Sequence, residues 1–194
     1  MGRTSLTDGD FTFSSADRVA LLELARASIR AGLEGDEARV RAADYPAALQ
    51  APRASFVTLN VAAQLRGCIG TLEAHQPLVL DVAQNAFAAA FRDPRFPALG
   101  RDEFARIEIH ISVLSVPEPV PVASEADLLA RLRPGVDGLI IEEGYRRGTF
   151  LPAVWESLPE PSEFLRHLKR KAGLPADYWS AGIRIRRYTV ESIS

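Results

Sequence analysis

The sequence predicts an α+β fold of mixed, mainly antiparallel sheets flanked by helices. Two β-rich pairs are each joined by a short polar link, as in hairpins: 54–59 with 65–72, and 139–143 with 149–151. The helical segments fall between strands without the even spacing of βαβ units, and no internal repeat is present. With 194 residues, 47% of them apolar, the chain can bury a substantial core as one domain or a compact pair of lobes.

Met1 to Phe13 is polar, carries Asp8 and Asp10, and lacks the apolar run of a signal peptide, so 1–13 is expected to be a flexible N-terminal segment. Ser14 to Asp17 offers a serine cap with an acid in the first turn, and Val19, Leu22, Ala25 and Ile29 follow at helical spacing up to Gly32 and Gly35. The alanine- and arginine-rich stretch 37–50 breaks at Pro46 and Pro52 and reads as an irregular connection with a turn of helix. After the first hairpin, Pro77 stands where a first helical residue belongs and opens a helix through Phe91. Its inward stripe is Leu78, Val82, Asn85, Ala86 and Ala89. Asn85 is the one amide on that stripe, and it requires hydrogen-bond partners, either structural or bound. Asp93-Pro94-Arg95-Phe96-Pro97 stops the helix.

The segment 106–115 alternates cleanly: Ile107, Ile109, Ile111 and Val113 form a core face, which aligns Glu108, His110 and Ser112 on the other. Three prolines, at 117, 119 and 121, mark an extended link, and Ser124 caps a short helix to about Leu132. The second hairpin follows, then a helix over 160–173 whose basic run 166–171 reads as a solvated, dipole-favoured end. The closing strand 183–190 alternates with arginines and is expected near a sheet edge.

Chemistry concentrates in Leu65-Arg66-Gly67-Cys68-Ile69-Gly70. On a strand, Leu65, Gly67 and Ile69 point one way, and Arg66 and Cys68 point the other, about 6 to 7 Å apart. A nearby cation stabilises a thiolate. Arg66 and Cys68 are therefore candidate catalytic residues, with Glu108 and His110 as further candidates for proton transfer. Arg66, Gly67, Gly70, Asn85 and Arg95 are candidate ligand-binding residues, the arginines suiting a phosphate or carboxylate and the glycines a close approach. The same residues also fit a plainer role, with a small buried cysteine and a solvated outer sheet face.

One cysteine cannot close an internal disulfide, and no Cys or His pairing has zinc spacing, so a reduced, cytoplasmic setting without a metal site is expected. Neither a phosphate-binding loop nor a dinucleotide fingerprint occurs, and no cofactor is expected. Lys and Arg total 23 against 25 acids, a formal charge of -2 that gives no global pull toward nucleic acid or anionic membrane. The basic runs at 131–133, 166–171 and 184–187 keep nucleic acid as the last of three partner classes.

The motif blocks Leu65 to Gly70, Asp93 to Phe96, Ile109 to Ser115, Gly135 to Gly138, Leu151-Pro152 and Lys171 to Leu174 occur in the order seen in the AMMECR-one domain family. The resemblance covers roughly 14–191, nearly all of the chain, as a single AMMECR-one-like domain. It implies two lobes with a cleft between them, the smaller lobe, around 54–75, carrying the Arg-Gly-Cys segment. It also implies a pathway shared with Memo-like and radical-SAM proteins, the AmmeMemoRadiSam system, without fixing a reaction. The family's usual Leu-Pro-Gln-Val is Leu151-Pro152-Ala153-Val154 here, which removes any polar contact of that glutamine. His110 lies outside the family signature. Three functions follow as expectations: a thiol-dependent enzyme or ligand-handling protein, a non-catalytic module recognising a small anionic ligand or partner peptide, and a nucleic-acid-associated protein.

Overall fold

A serine with an aspartate three residues on makes a reciprocal cap: Ser14 Oγ accepts from the Asp17 N–H, and the Asp17 carboxylate accepts from the Ser14 N–H. That cap starts α1 (Ser15–Leu33), the first helix of a computed structural model that describes residues 12–194. The N-terminal segment expected over 1–13 therefore lies outside the described residues as far as Phe11. Phe13 is buried, and its N–H donates to the Glu191 carboxylate.

The described chain divides into two units, one ending at Leu114 and taking back Glu191–Ser194, the other Ser115–Val190. In the first unit, α2 (Ala47–Gln50) precedes the hairpin β1 (Ser55–Val61) and β2 (Gln64–Gly70). It is followed by α3 (Leu78–Phe91), α4 (Arg101–Phe104) and β3 (Ile107–Leu114). β3 pairs antiparallel with β1, and the C-terminal β8 (Val190–Ile193) joins the far side of β3, giving the order β2-β1-β3-β8. The segment around 54–75 thus supplies two strands of this sheet, and the division of the chain falls instead after Leu114.

The alternation read in β3 is the one observed. Ile107, Ile109, Ile111 and Val113 are buried with Val57 and Leu59 of β1 and with Leu21, Ile29, Leu78, Val82 and Ala86 of α1 and α3. Each such side chain contributes about 1.5–3 kcal/mol by leaving water. Leu65 departs from its expected place on the packed face: it is 44% exposed, because the β1–β2 register slips between Leu59 and Asn60, and the slip falls next to it.

The hairpin between β1 and β2 turns on Ala62 and Ala63, both at positive φ (51° and 61°). Two left-handed residues are what a two-residue hairpin of matching twist demands, and alanine bears a steric cost there that asparagine and glycine avoid. The double change Ala62→Asn with Ala63→Gly is expected to stabilise the protein by about 1 kcal/mol, read as a higher urea midpoint.

The second unit holds β4 (Glu118–Pro119), α5 (Glu125–Arg131), β5 (Gly138–Glu143), β6 (Arg146–Phe150), α6 (Pro161–Lys171) and β7 (Arg184–Tyr188), in a sheet ordered β4-β7-β5-β6. The arginine-rich β7 is one strand in from the edge, flanked on its outer side by the two-residue β4. Its core gathers Leu139, Ile141, Ile185, Leu165 and Leu168 around Trp155 and Phe164, whose rings stack at 3.8 Å. The basic run of α6 is not wholly solvated. Lys169 is fully buried, held by Glu125 Oε1 at 2.8 Å and donating to the Ala176 carbonyl. A buried ammonium persists only when paired in this way.

Candidate functional site

The Arg-Gly-Cys segment lies on β2, the outermost strand of the first sheet, and its glycines are set by what crosses it. A Cβ on Gly67 would stand 2.1 Å from the Ala89 carbonyl oxygen of α3, so only glycine lets that helix lie against the strand. At Gly70 a Cβ would meet the Phe56 ring at 2.3 Å. Both glycines thus serve packing within the unit. With Gly67 facing α3, Cys68 turns to the opposite face, as expected from alternation. Arg66 is the extra residue of the bulge and stands opposite no residue of β1: Leu59 faces Gly67, and Asn60 faces Leu65.

An outermost strand leaves backbone groups unpaired, and here side chains pair them. The Cys68 N–H donates to Asp93 Oδ2 at 2.9 Å, and its carbonyl accepts from Arg95 Nη2 at 3.2 Å. Asp93 and Arg95 together stand in for the next strand at this residue. Asp93, with a side chain 2% exposed, also accepts from the Arg95 N–H, Nε and Nη2. The Arg95 guanidinium holds this carboxyl well below the usual carboxylate range, against the opposing effect of burial. Arg66 makes a similar commitment. Its Nε and Nη2 reach the two oxygens of Glu103 at 2.6 and 3.0 Å, and Nη2 also donates to the Pro97 carbonyl. The guanidinium, helped by the Gly100 N–H, lowers the Glu103 pKa to about 2. Phe96 lies within cation–π reach of both arginines, at 5.8 and 5.4 Å.

The polar face that remains is a grid. Thr58 stands opposite Cys68 on one side and His110 on the other, Asn60 stands opposite Glu108, and Phe56 stands opposite Gly70 and Ser112. The Thr58 hydroxyl donates to Cys68 Sγ at 3.3 Å, and the thiol is half-buried. Because the Cys68 backbone groups turn outward, Thr58 and Cys68 form the narrow pair and Thr58 and His110 the wide one. The imidazole therefore stands about 10 Å from Cys68 at Cα, with Thr58 between them. The structure thus brings Cys68, His110 and Glu108 onto one sheet face, with Arg95 at its edge and Arg66 turned to Glu103 and the Pro97 carbonyl, but leaves the imidazole out of contact with the thiol.

Asn85 lies elsewhere. It is buried on α3, and its amide donates to the Ser55 carbonyl, to Ser55 Oγ and to Asp81 Oδ2. Asp81, fully buried, also accepts from the Ser55 N–H and hydroxyl and from Thr71 Oγ1. That network ties α3 to the start of β1, which is the structural alternative for Asn85. Asp81 was missed as a partner although it precedes Asn85 by four residues, one helical turn on the same stripe. Asp93 and Glu103 were missed as well. Glu103 has no local signal, since Arg66 lies 37 residues away; Asp93 has Arg95 two positions on, but its bond from the Cys68 N–H spans 25 residues.

Among the described residues, no group of three or more His, Cys, Asp or Glu side chains is placed to hold a metal ion, and no helix is long and apolar enough to cross a membrane. The thiol can act as a nucleophile or as a contact for a ligand lying on the grid. Thr58 donates a hydrogen bond to its sulfur, and the paired arginines fix the strand that carries it.

Comparison with known proteins matches residues 22–193 to the AMMECR1 family model. A protein of Methanothermobacter thermautotrophicus is 38% identical over 177 residues, covering 88% of this chain and 90% of its own. One of Thermotoga maritima is 44% identical over 139 residues, covering 71% and 75%. The crystal structure of an uncharacterized protein from Pyrococcus horikoshii superposes with a TM-score of 0.84 at 33% identity, over 94% of this chain and 93% of that one.

Proposed function

This chain belongs to the AMMECR1 family, and we propose that the polar face of its first sheet handles a small ligand with the Cys68 thiol as the working group. The observation that carries this reading is the row Cys68, Thr58, His110, in which a half-buried thiol faces outward and accepts the Thr58 hydroxyl. Around it, Asp93, Arg95, Arg66 and Glu103 spend their hydrogen bonds on holding β2 and one another. In this reading Cys68 Sγ attacks or contacts the ligand, Thr58 stabilises the thiolate, and His110 meets the ligand from the far side of Thr58. Arg95, half-exposed beyond its pair with Asp93, offers the nearest charge to an anionic group. Its proposed setting is a pathway shared with Memo-like and radical-SAM proteins, on the strength of the motif order alone.

A second reading, recognition without chemistry, draws on a different observation. Both signature guanidiniums are already paired with carboxylates, and the imidazole is about 10 Å from the thiol at Cα, so no base touches Sγ. The two readings part at Cys68→Ser, which the first expects to abolish function in cells and the second expects to leave it intact.

The first reading is tested by iodoacetamide alkylation at pH 7. Thr58→Val, which removes the donated hydrogen bond, is expected to slow the reaction several-fold, by about 1 kcal/mol of lost thiolate stabilisation, at an unchanged thermal midpoint. Equal rates would remove Thr58 from the site.

A further inference from the structure

The second unit carries a feature that the Cys68 site does not use. On the face of its sheet turned away from Leu139 and Ile141, Glu142 stands directly opposite Arg147 on β6 and Arg184 on β7, and Arg186 reaches it from one step along at 2.8 Å. Arg147 lies 3.3 Å from the same Glu142 oxygen. Arg184 and Arg186 thus face one carboxylate, which Arg147 also approaches. Cross-strand charges of like sign repel, so a single acid between Arg184 and Arg186 leaves them with a positive surplus. Arg186 shows the mismatch directly: its Nε is sealed from solvent without an acceptor. Arg184 is exposed and has no ion pair among the described residues.

These residues line a groove of about 760 Å³ whose walls include Val120, Ile183 and Ile185. At the tip of the β5–β6 hairpin, Arg146, opposite Glu143 in the register, stands beside the Tyr145 ring, which is 92% exposed. The volume lies within the range of small-molecule sites, about 300–1,000 Å³. The chain as a whole carries a formal charge of -2, so this surplus is local.

We propose that this groove binds a phosphate-bearing small molecule. Several planar forks converging on one spot match a multivalent oxyanion, which has acceptors enough for all of them, better than they match a single carboxylate. The bounded groove and the acidic chain favour a small ligand over a nucleic-acid backbone, which needs an extended positive track. The proposal does not rest on Cys68, and its failure would leave the thiol reading untouched.

The test is calorimetric titration of the full chain with inorganic pyrophosphate at low salt. The expected result is saturable binding, weakened about tenfold by Arg184→Gln and again by Arg186→Gln, the loss of one charge-assisted contact each. Arg170→Gln, an exposed arginine on α6 outside the groove, should bind as the wild type does. Arg184 is exposed, so its variant should keep the native melting midpoint, and binding in it remains readable if Arg186→Gln fails to fold. ADP is expected to compete with pyrophosphate. Absence of saturable binding up to about 10 mM, or equal affinity in Arg184→Gln, would overturn the proposal. A single-stranded oligonucleotide binding about 100-fold more tightly, with a steep salt dependence, would overturn it in favour of nucleic acid.

Discussion

Gly67→Ala is expected to destabilise the protein by about 3 kcal/mol, the upper end of what overpacking usually costs. The added methyl group would stand 2.1 Å from the Ala89 carbonyl oxygen and 3.0 Å from its carbon. Both atoms belong to the backbone of α3, so no side chain can swing aside to make room. Either β2 or α3 must retreat, and both are built into the same core, β2 through Ile69 and its pairing with β1, α3 through Val82 and Ala86. A urea titration checks this, and a loss below about 1 kcal/mol would mean that the helix and strand are less closely set than the structure has them.

Asp93→Ala should cost about 2 kcal/mol. The carboxylate is almost fully buried and accepts from the Cys68 N–H and from three donors of Arg95. Removing it strips the acceptor from the Cys68 N–H and frees Arg95 from its anchor. Because Arg95 is 53% exposed, its guanidinium can turn to water, which keeps the cost below that of breaking a fully buried ion pair. The effect has a local signature as well. Hydrogen exchange at the Cys68 amide should accelerate more than at Ile141, in the other unit. Uniform acceleration at both would show a global loss instead of an unlatched strand.

The two substitutions mark where sequence reasoning reached and where it stopped. Period-two alternation put Arg66 and Cys68 on one face of β2 and Glu108, His110 and Ser112 on one face of β3; the β3 face is observed, whereas on β2 the bulge at Arg66 interrupts the alternation. Alternation is set by backbone geometry alone, so a single strand suffices to read it. Whether the two strands share a sheet, and in which register, depends on β1 lying between them, and that order is a property of the whole unit. The partners of the two signature arginines were hidden for a similar reason. Arg95 read as a turn residue with a cation to offer, yet its carboxylate lies two positions earlier, in a segment that also latches the β2 edge. Arg66 pairs with Glu103 on the four-residue α4, a helix too short to carry a periodic signal. Lys169 misled because a basic run at a helix end is normally solvated, and only the packing of α6 with Glu125 reveals the exception. β8, four residues returning to the first sheet after Tyr188, is likewise a matter of topology.

The proposed function requires an outward-facing, working thiol at Cys68 in the first unit. The chain has one cysteine, so the reading is unambiguous. The measurement is the second-order rate constant for iodoacetamide at pH 7 in the native protein and in urea. A native rate equal to or above the unfolded one is the expected result, because Sγ lies on the polar face and accepts the Thr58 hydroxyl. A native rate below about a hundredth of the unfolded rate would contradict the claim and make Cys68 a packing residue.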